Sequence, residues 1–303
     1  MNTVHIDPPF GDRRSRDELY AGQIILRSPS PATRAFVDHA RAMIETAFAG
    51  MDPRTAQYKL SVESFVDRFA PLKHAFIHDE RSLSCIAGIM HELGCDPDDT
   101  YIDVPRLRVA TSDGYLTSGV AYAHHAHRDT WYSAPMAQIN RWMPVYPYES
   151  SASMAFHPAY WSQPVRNSSG DFDYYRWNAE GRAQARSQIG SDTRKQPRAQ
   201  DALDLEPEVR FVLPPASVIA FSAAQLHSTC KNVSGASRWS VDFRTVSLAD
   251  LEERRGAANV DSAPTGTSLR DFVRLRDFTP MPEATVRKFD DRENVEGQLV
   301  FRA

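Results

Sequence analysis

The chain has 303 residues, 42% hydrophobic and 24% charged, enough to bury a core in one large domain or two small ones. A net charge of −4 and a pI near 6.2 give no electrostatic case for nucleic acid or anionic lipid as a partner. No stretch approaches the ~18 apolar residues of a membrane helix, and the first residues lack the apolar run of a secretory signal. Cys85, Cys95 and Cys230 suggest neither a disulfide framework nor a zinc ribbon, so a cytoplasmic protein is expected.

In chain order, residues 22–26 form a short strand candidate. Ser30-Pro31 starts a helix, since proline is tolerated at the first helical position. Phe36, Val37, Ala40, Met43, Ile44 and Ala47 follow at helical spacing, and Gly50 stops it. A second helix is expected over 62–69. A third begins near Asp79, with Leu83, Ile86, Met90 and Leu93 on one face and Gly94 at its end. His39 and His91 are expected at the surface or boundary.

After Asp96-Pro97-Asp98-Asp99 the period becomes alternating. Strands are expected over 101–110, in one or two pieces over 115–132, and over 137–146, 153–156, 209–213, 217–221 and 237–246. In the third of these, Ile139, Met143 and Val145 share one face, and Gln138, Asn140 and Trp142 the other. About eight short strands suggest an antiparallel sandwich or barrel. Residues 161–207 read as a polar insertion with a helix around 174–186, expected as a lid. No linker is evident. One domain over 1–303 is expected: 1–100 mostly helical support, 101–247 the β core, 248–303 a C-terminal extension.

The densest chemistry is Tyr122-Ala-His124-His125-Ala-His127-Arg128-Asp129. On a strand, His125, His127 and Asp129 point one way, and His124 and Arg128 the other. A His-x-Asp pair joined by a distant histidine is the protein half of a two-His, one-carboxylate iron site, which leaves positions open for chemistry. His227 is the distant candidate, although a bare His-x-Asp is weak on its own. Further on, Arg238, Ser240, Asp242 and Arg244 share a face opposite Trp239, Val241 and Phe243. An arginine fork binds a carboxylate through two parallel hydrogen bonds, so a diacid chelating iron at one end finds its clamp in Arg238 or Arg244. The plain alternative for this row is an exposed ion-pair ladder.

His127-Arg-Asp129, His227, Asn232 and Arg238-x-Ser240 together resemble the phytanoyl-CoA dioxygenase-like branch of the Fe(II)/2-oxoglutarate-dependent oxygenases, over roughly residues 101–247. The resemblance implies an α+β fold with a mainly β core: a double-stranded β-helix (a jelly-roll or cupin-like barrel) with N-terminal helices packed on one sheet. It implies Fe(II) on His127, Asp129 and His227, and 2-oxoglutarate clamped by Arg238, with Thr229, Gln138 and Ser240 as further contacts and O2 as co-substrate. The reaction implied is oxidation of a small molecule, a natural-product or amino-acid-derived intermediate, with release of succinate and CO2. Hydroxylation, desaturation and cyclisation all remain open, whereas the carboxylate at Asp129 argues against halogenation. Trp131, Tyr132 and Trp142 are candidates for an aromatic substrate wall, and Arg128 for an acid group on the substrate.

Two rivals stand beside this. A cupin would bind metal through His125, His127 and His227 without 2-oxoglutarate, but Thr130, Trp131 and Tyr132 occupy the place of its glutamate. A non-catalytic β-sandwich binding module would make the histidines structural, yet burying such a cluster without metal or partners is costly. His157 reads as structural, and His5, His74 and His78 have no supporting neighbours.

Overall fold

Three long helices form where the apolar period and the caps agree. The computed structural model, which describes residues 3–290 and 292, places α1 at Asp12–Tyr20, α2 at Pro31–Ala47, α3 at Val62–Ile77 and α4 at Glu80–Glu92. Side chains of Ser30, Ser61 and Asp79 cap α2, α3 and α4 by accepting from backbone N–H groups three residues on. α3 runs past the expected end at 69 and through Pro71, because Phe65, Phe69, Leu72 and Phe76 bury one continuous stripe. α1 has almost no apolar period; it is held by Leu19 and by Arg16, which pairs with the distant Asp250 at 2.7 Å. His39 is buried against Asp79 at 2.7 Å rather than at the surface.

The strands are β1 (Val4–Ile6), β2 (Ile24–Arg27), β3 (Thr100–Ile102), β4 (Arg106–Ala110), β5 (Ile139–Pro144) and β6 (Met154–Phe156), followed by β7 (Val209–Arg210), β8 (Val218–Ser222), β9 (His227–Thr229), β10 (Arg238–Ser247) and β11 (Val273–Arg274). The larger sheet has the order β1-β2-β8-β5-β10-β3-β11, with β4 also paired to β10. The smaller has the order β7-β6-β9. The expected strand over 101–110 is split into β3 and β4. Pro105 has no donor for the ladder, and Asp103 instead accepts from the Arg244 N–H through its side chain. The expected strands over 115–132 do not form. That stretch is irregular chain with tight turns at Gly119–Ala121 and Asp129–Tyr132. The insertion carries a helical run from Tyr174 to Ser187 of mixed pitch.

β10 is the central strand, and its alternation sorts two environments. Trp239, Val241 and Phe243 face α2 and α3 in the main core. Phe48 and Phe69 lie edge-on to Trp239 with ring centroids 5.4 Å apart. Arg238, Asp242 and Arg244 face the opposite way, into a cavity that β9 and the insertion also line. This row is enclosed, so the exposed-ladder expectation does not hold: Arg238 and Asp242 are 6% and 7% exposed. Among the described residues no helix is long and apolar enough to cross a membrane. The last part of the 248–303 extension, residue 291 and 293–303, lies outside the described residues.

Candidate metal centre

The centre begins with one short backbone pairing. His127 and His227 exchange both N–H···O bonds at 3.0 Å, which brings their rings to 4.4 Å between centroids. The Asp129 N–H then donates to Ala223 O at 2.9 Å and opens a tight turn. The turn folds the carboxylate back so that Oδ1 lies 3.3 Å from His127 Nε2 and 3.9 Å from His227 Nε2. One ligand atom from each of the three residues falls within 4.8 Å of the others.

The tautomers suit a cation. His127 Nδ1 donates to His125 O at 2.8 Å and His227 Nδ1 to Gln225 O at 3.0 Å. A carbonyl only accepts, so each Nε2 keeps its lone pair toward the centre. Burial, with repulsion from His127, pushes His227 down to about 3. Burial opposes ionisation of Asp129 too, but Arg244 and the two imidazoles hold its carboxyl well below the usual range. A neutral imidazole and an ionised carboxylate are the forms that bind metal.

A cavity of about 650 Å³ opens from these three residues. At one end Arg238 lies with its guanidinium carbon 5.2 Å from the Trp142 ring centre and donates to Ser240 Oγ at 2.9 Å. Arg238 Nε and Trp142 Nε1 are buried and have no partner within the protein. Among the described residues no carboxylate is paired with Arg238. Arg244 differs: it sits 3.3 Å from Asp103 and 3.6 Å from Asp129. Thr229, Gln138 and Tyr132 also line the cavity, and the Tyr132 ring stands edge-on to His127 at 5.5 Å.

Three expectations are corrected. His125 turns away, bonding Tyr122 Oη at 3.0 Å and Pro197 O at 2.7 Å. Strand alternation fails there because the segment is not a strand, and the cupin ligand set is not assembled. Arg128 and Trp131 point out of the cavity to Asp261, at 3.0 Å and 2.7 Å, and Arg128 also donates to Ala224 O and Tyr160 O. Together they anchor the metal-side turn to the C-terminal segment. His74 and His78 do have neighbours: their rings lie 4.7 Å apart at the cavity edge. His157 is bonded between Leu205 O and Ser228 Oγ, as a structural histidine.

Sequence reading missed Lys73, Arg108, Asn178, Arg182 and Arg194 as cavity residues. They come from α3, β4 and the insertion, and no local pattern in the chain tells which of these elements meet.

Comparison with protein-family models gives no match, and neither does comparison with curated proteins. Several solved structures are similar to this chain. EvdO2 from Micromonospora carbonacea var. aurantiaca, complexed with 2-oxoglutarate, is 11% identical; the match covers 78% of this chain and 91% of that one, with a TM-score of 0.46. The epimerase SnoN, in complex with Fe3+, alpha ketoglutarate and nogalamycin RO, is 13% identical over 78% of this chain and 84% of its own, TM-score 0.40. AviO1 from Streptomyces viridochromogenes Tue57 is 13% identical over 79% and 96%, TM-score 0.38.

Proposed function

We propose that this chain is a non-haem Fe(II)- and 2-oxoglutarate-dependent oxygenase. In this reading it is one domain, built on a double-stranded β-helix, that oxidises a small natural-product or amino-acid-derived intermediate in the cytoplasm. The observation that carries it is the convergence of His127 Nε2, His227 Nε2 and Asp129 Oδ1 in the same cavity as a buried arginine that lacks a carboxylate.

The donor set fits ferrous iron: two neutral imidazoles and one carboxylate on one side leave the other positions free. His127, Asp129 and His227 would hold the iron, which with 2-oxoglutarate and O2 would supply oxidising chemistry for hydrogen removal from substrate, with succinate and CO2 as co-products. The protein's part is positional. Arg238 receives the far carboxylate of 2-oxoglutarate through its fork, while Trp142 and Ser240 hold the guanidinium plane. Gln138 and Thr229 offer further polar contacts. Tyr132 and the insertion's Phe172 and Trp177 give the cavity an aromatic lining. Hydroxylation, desaturation and ring closure share the first hydrogen removal, and substrate placement chooses among them.

The test is an anaerobic titration of metal-free protein with Fe(II) and 2-oxoglutarate, followed by visible absorption. A weak charge-transfer band should need both components and should vanish in Arg238→Ala, which still binds Fe(II). Metal binding with no response to 2-oxoglutarate would overturn the assignment.

A further inference from the structure

We propose that the substrate is an organic anion with an apolar body and one terminal oxyanion, carboxylate or phosphate, and that Lys73 receives that oxyanion. The proposal rests on the oxygenase reading of the cavity and adds the substrate class.

Lys73 reaches from α3 into the cavity, and its ammonium donates to Val120 O at 3.0 Å. Among the described residues it pairs with no carboxylate. The cavity's other cations near it are already matched. Arg106 pairs with Asp103 and Arg108 with Asp242; Arg194 lies 2.5 Å from Asp192, and Arg186 2.6 Å from Asp67. With Arg182 3.9 Å from Asp271 and Arg244 3.3 Å from Asp103, the lysine and arginine side chains of the lining left without a paired carboxylate among the described residues are Arg238 and Lys73. Lys73 is half-buried, with a carbonyl and, at 5.9 Å, the Phe69 ring beside its ammonium, and a half-buried cation with no carboxylate partner is costly unless a ligand supplies the charge. The Lys73 amine bears that cost: burial and the Arg108 guanidinium push it down to about 7, and an anion alongside reverses such a shift.

The position suits a substrate rather than a second co-substrate. Arg108 is the main charged neighbour of Lys73. Its Nη1 lies 3.5 Å from His124 Nε2, and the His124 ring stacks on the iron-ligand candidate His127 at 4.9 Å. Lys73, His124 and the three metal-ligand candidates line one cavity, so a ligand held at Lys73 shares its space with the metal centre. Ala70, Ile77, Val120, Phe172 and Trp177 give the walls their apolar character.

The cavity lining also carries unmet polar groups. Both amide atoms of Asn178, which is 4% exposed, together with His124 Nδ1 and Gln196 Nε2, are buried without partners, and all three residues line this cavity. Buried polar groups are normally hydrogen-bonded; these three residues belong to the lining of a space of about 650 Å³, within the range of small-molecule pockets.

The experiment titrates the full chain by calorimetry with 4-phenylbutyrate, 3-phenylpropyl phosphate and the neutral 4-phenylbutyramide. At least one anion should bind about tenfold tighter than the amide, the worth of one charge-assisted hydrogen bond. The stronger anion identifies the group. Lys73→Met should abolish the preference while leaving amide affinity alone, and Lys73→Arg should keep it. The proposal is overturned if the amide binds as well as both anions, or if none of the three binds. It is also overturned if the preference survives Lys73→Met but is lost in Arg238→Ala. That last result would place the anion on the proposed co-substrate clamp and leave the oxygenase reading intact; failure of the oxygenase reading itself appears separately, in the Fe(II) titration.

Discussion

Asn140 Nδ2 donates to Asp129 Oδ2 at 2.9 Å, and this bond decides which oxygen of the carboxylate faces the histidines. Gln138 Nε2 in turn donates to Asn140 Oδ1 at 2.9 Å, so the amide cannot flip without losing a partner. Asn140→Ala should therefore weaken metal binding about 10–100-fold, as loss of a partner behind a ligand does. Mn(II) titration followed by electron paramagnetic resonance measures it; wild-type affinity in the variant would make the bond incidental.

Arg238 and Arg244 share a face of β10 but should fail differently. Burial disfavours the charged Arg244, yet Asp103 and Asp129 outweigh it and raise its pKa, so its charge is already used inside the protein. Arg244→Ala should lower metal affinity and leave 2-oxoglutarate affinity of the metal-loaded protein near wild type. Arg238→Ala should raise the 2-oxoglutarate Kd about 10–100-fold, the loss of a charge-assisted bidentate contact, with metal affinity unchanged. The two dissociation constants, measured separately, assign the clamp, and the opposite pattern would move it to Arg244.

The ion pair of Arg128 and Asp261 is almost fully enclosed, with side chains 2% and 4% exposed. Asp261→Ala strands the guanidinium and removes the acceptor of Trp131 Nε1. Urea unfolding should show a loss of about 3–5 kcal/mol. The double variant Arg128→Met/Asp261→Leu should recover most of it. Equal losses in both would mean that packing, not charge, holds the turn.

Lys73 makes stability depend on pH in a set direction. Its folded value, about 7, lies below the ordinary ~10.4 of an unfolded lysine. Between the two the unfolded chain binds the extra proton, so this group's contribution to stability rises with pH across that window and is least favourable below about 7. In the absence of ligand, Lys73→Met should raise Tm by roughly 2–4 °C near neutrality, and the gain should shrink toward pH ~10. A gain independent of pH would show that the amine is not desolvated.

Much of the frame is legible in the chain. The helical spacing and the caps at Ser30, Ser61 and Asp79 place α2 to α4. Strict alternation along β10 and before and within β5 separates Trp239, Val241 and Phe243 in the core from Arg238, Asp242, Arg244, Asn140 and Trp142 in the cavity. These periods are properties of a backbone with fixed geometry, so side chains alone reveal them. The pairing of His127, Asp129 and His227 was also legible, but through an alternation that the segment does not have. A bridge to His227 and a tight turn bring the three together instead.

The sequence by itself determined which residue types could make a metal site and which strand faces would be apolar, because both follow from local chemistry and backbone period. Only the tertiary structure decided that Arg128 and Trp131, flanking a ligand in sequence, turn away to Asp261. It alone brought Lys73 of α3 and Asn178 of the insertion into the space beside His124. Those outcomes depend on which distant surfaces pack, and on where each buried charge finds its partner; no period in the chain encodes either.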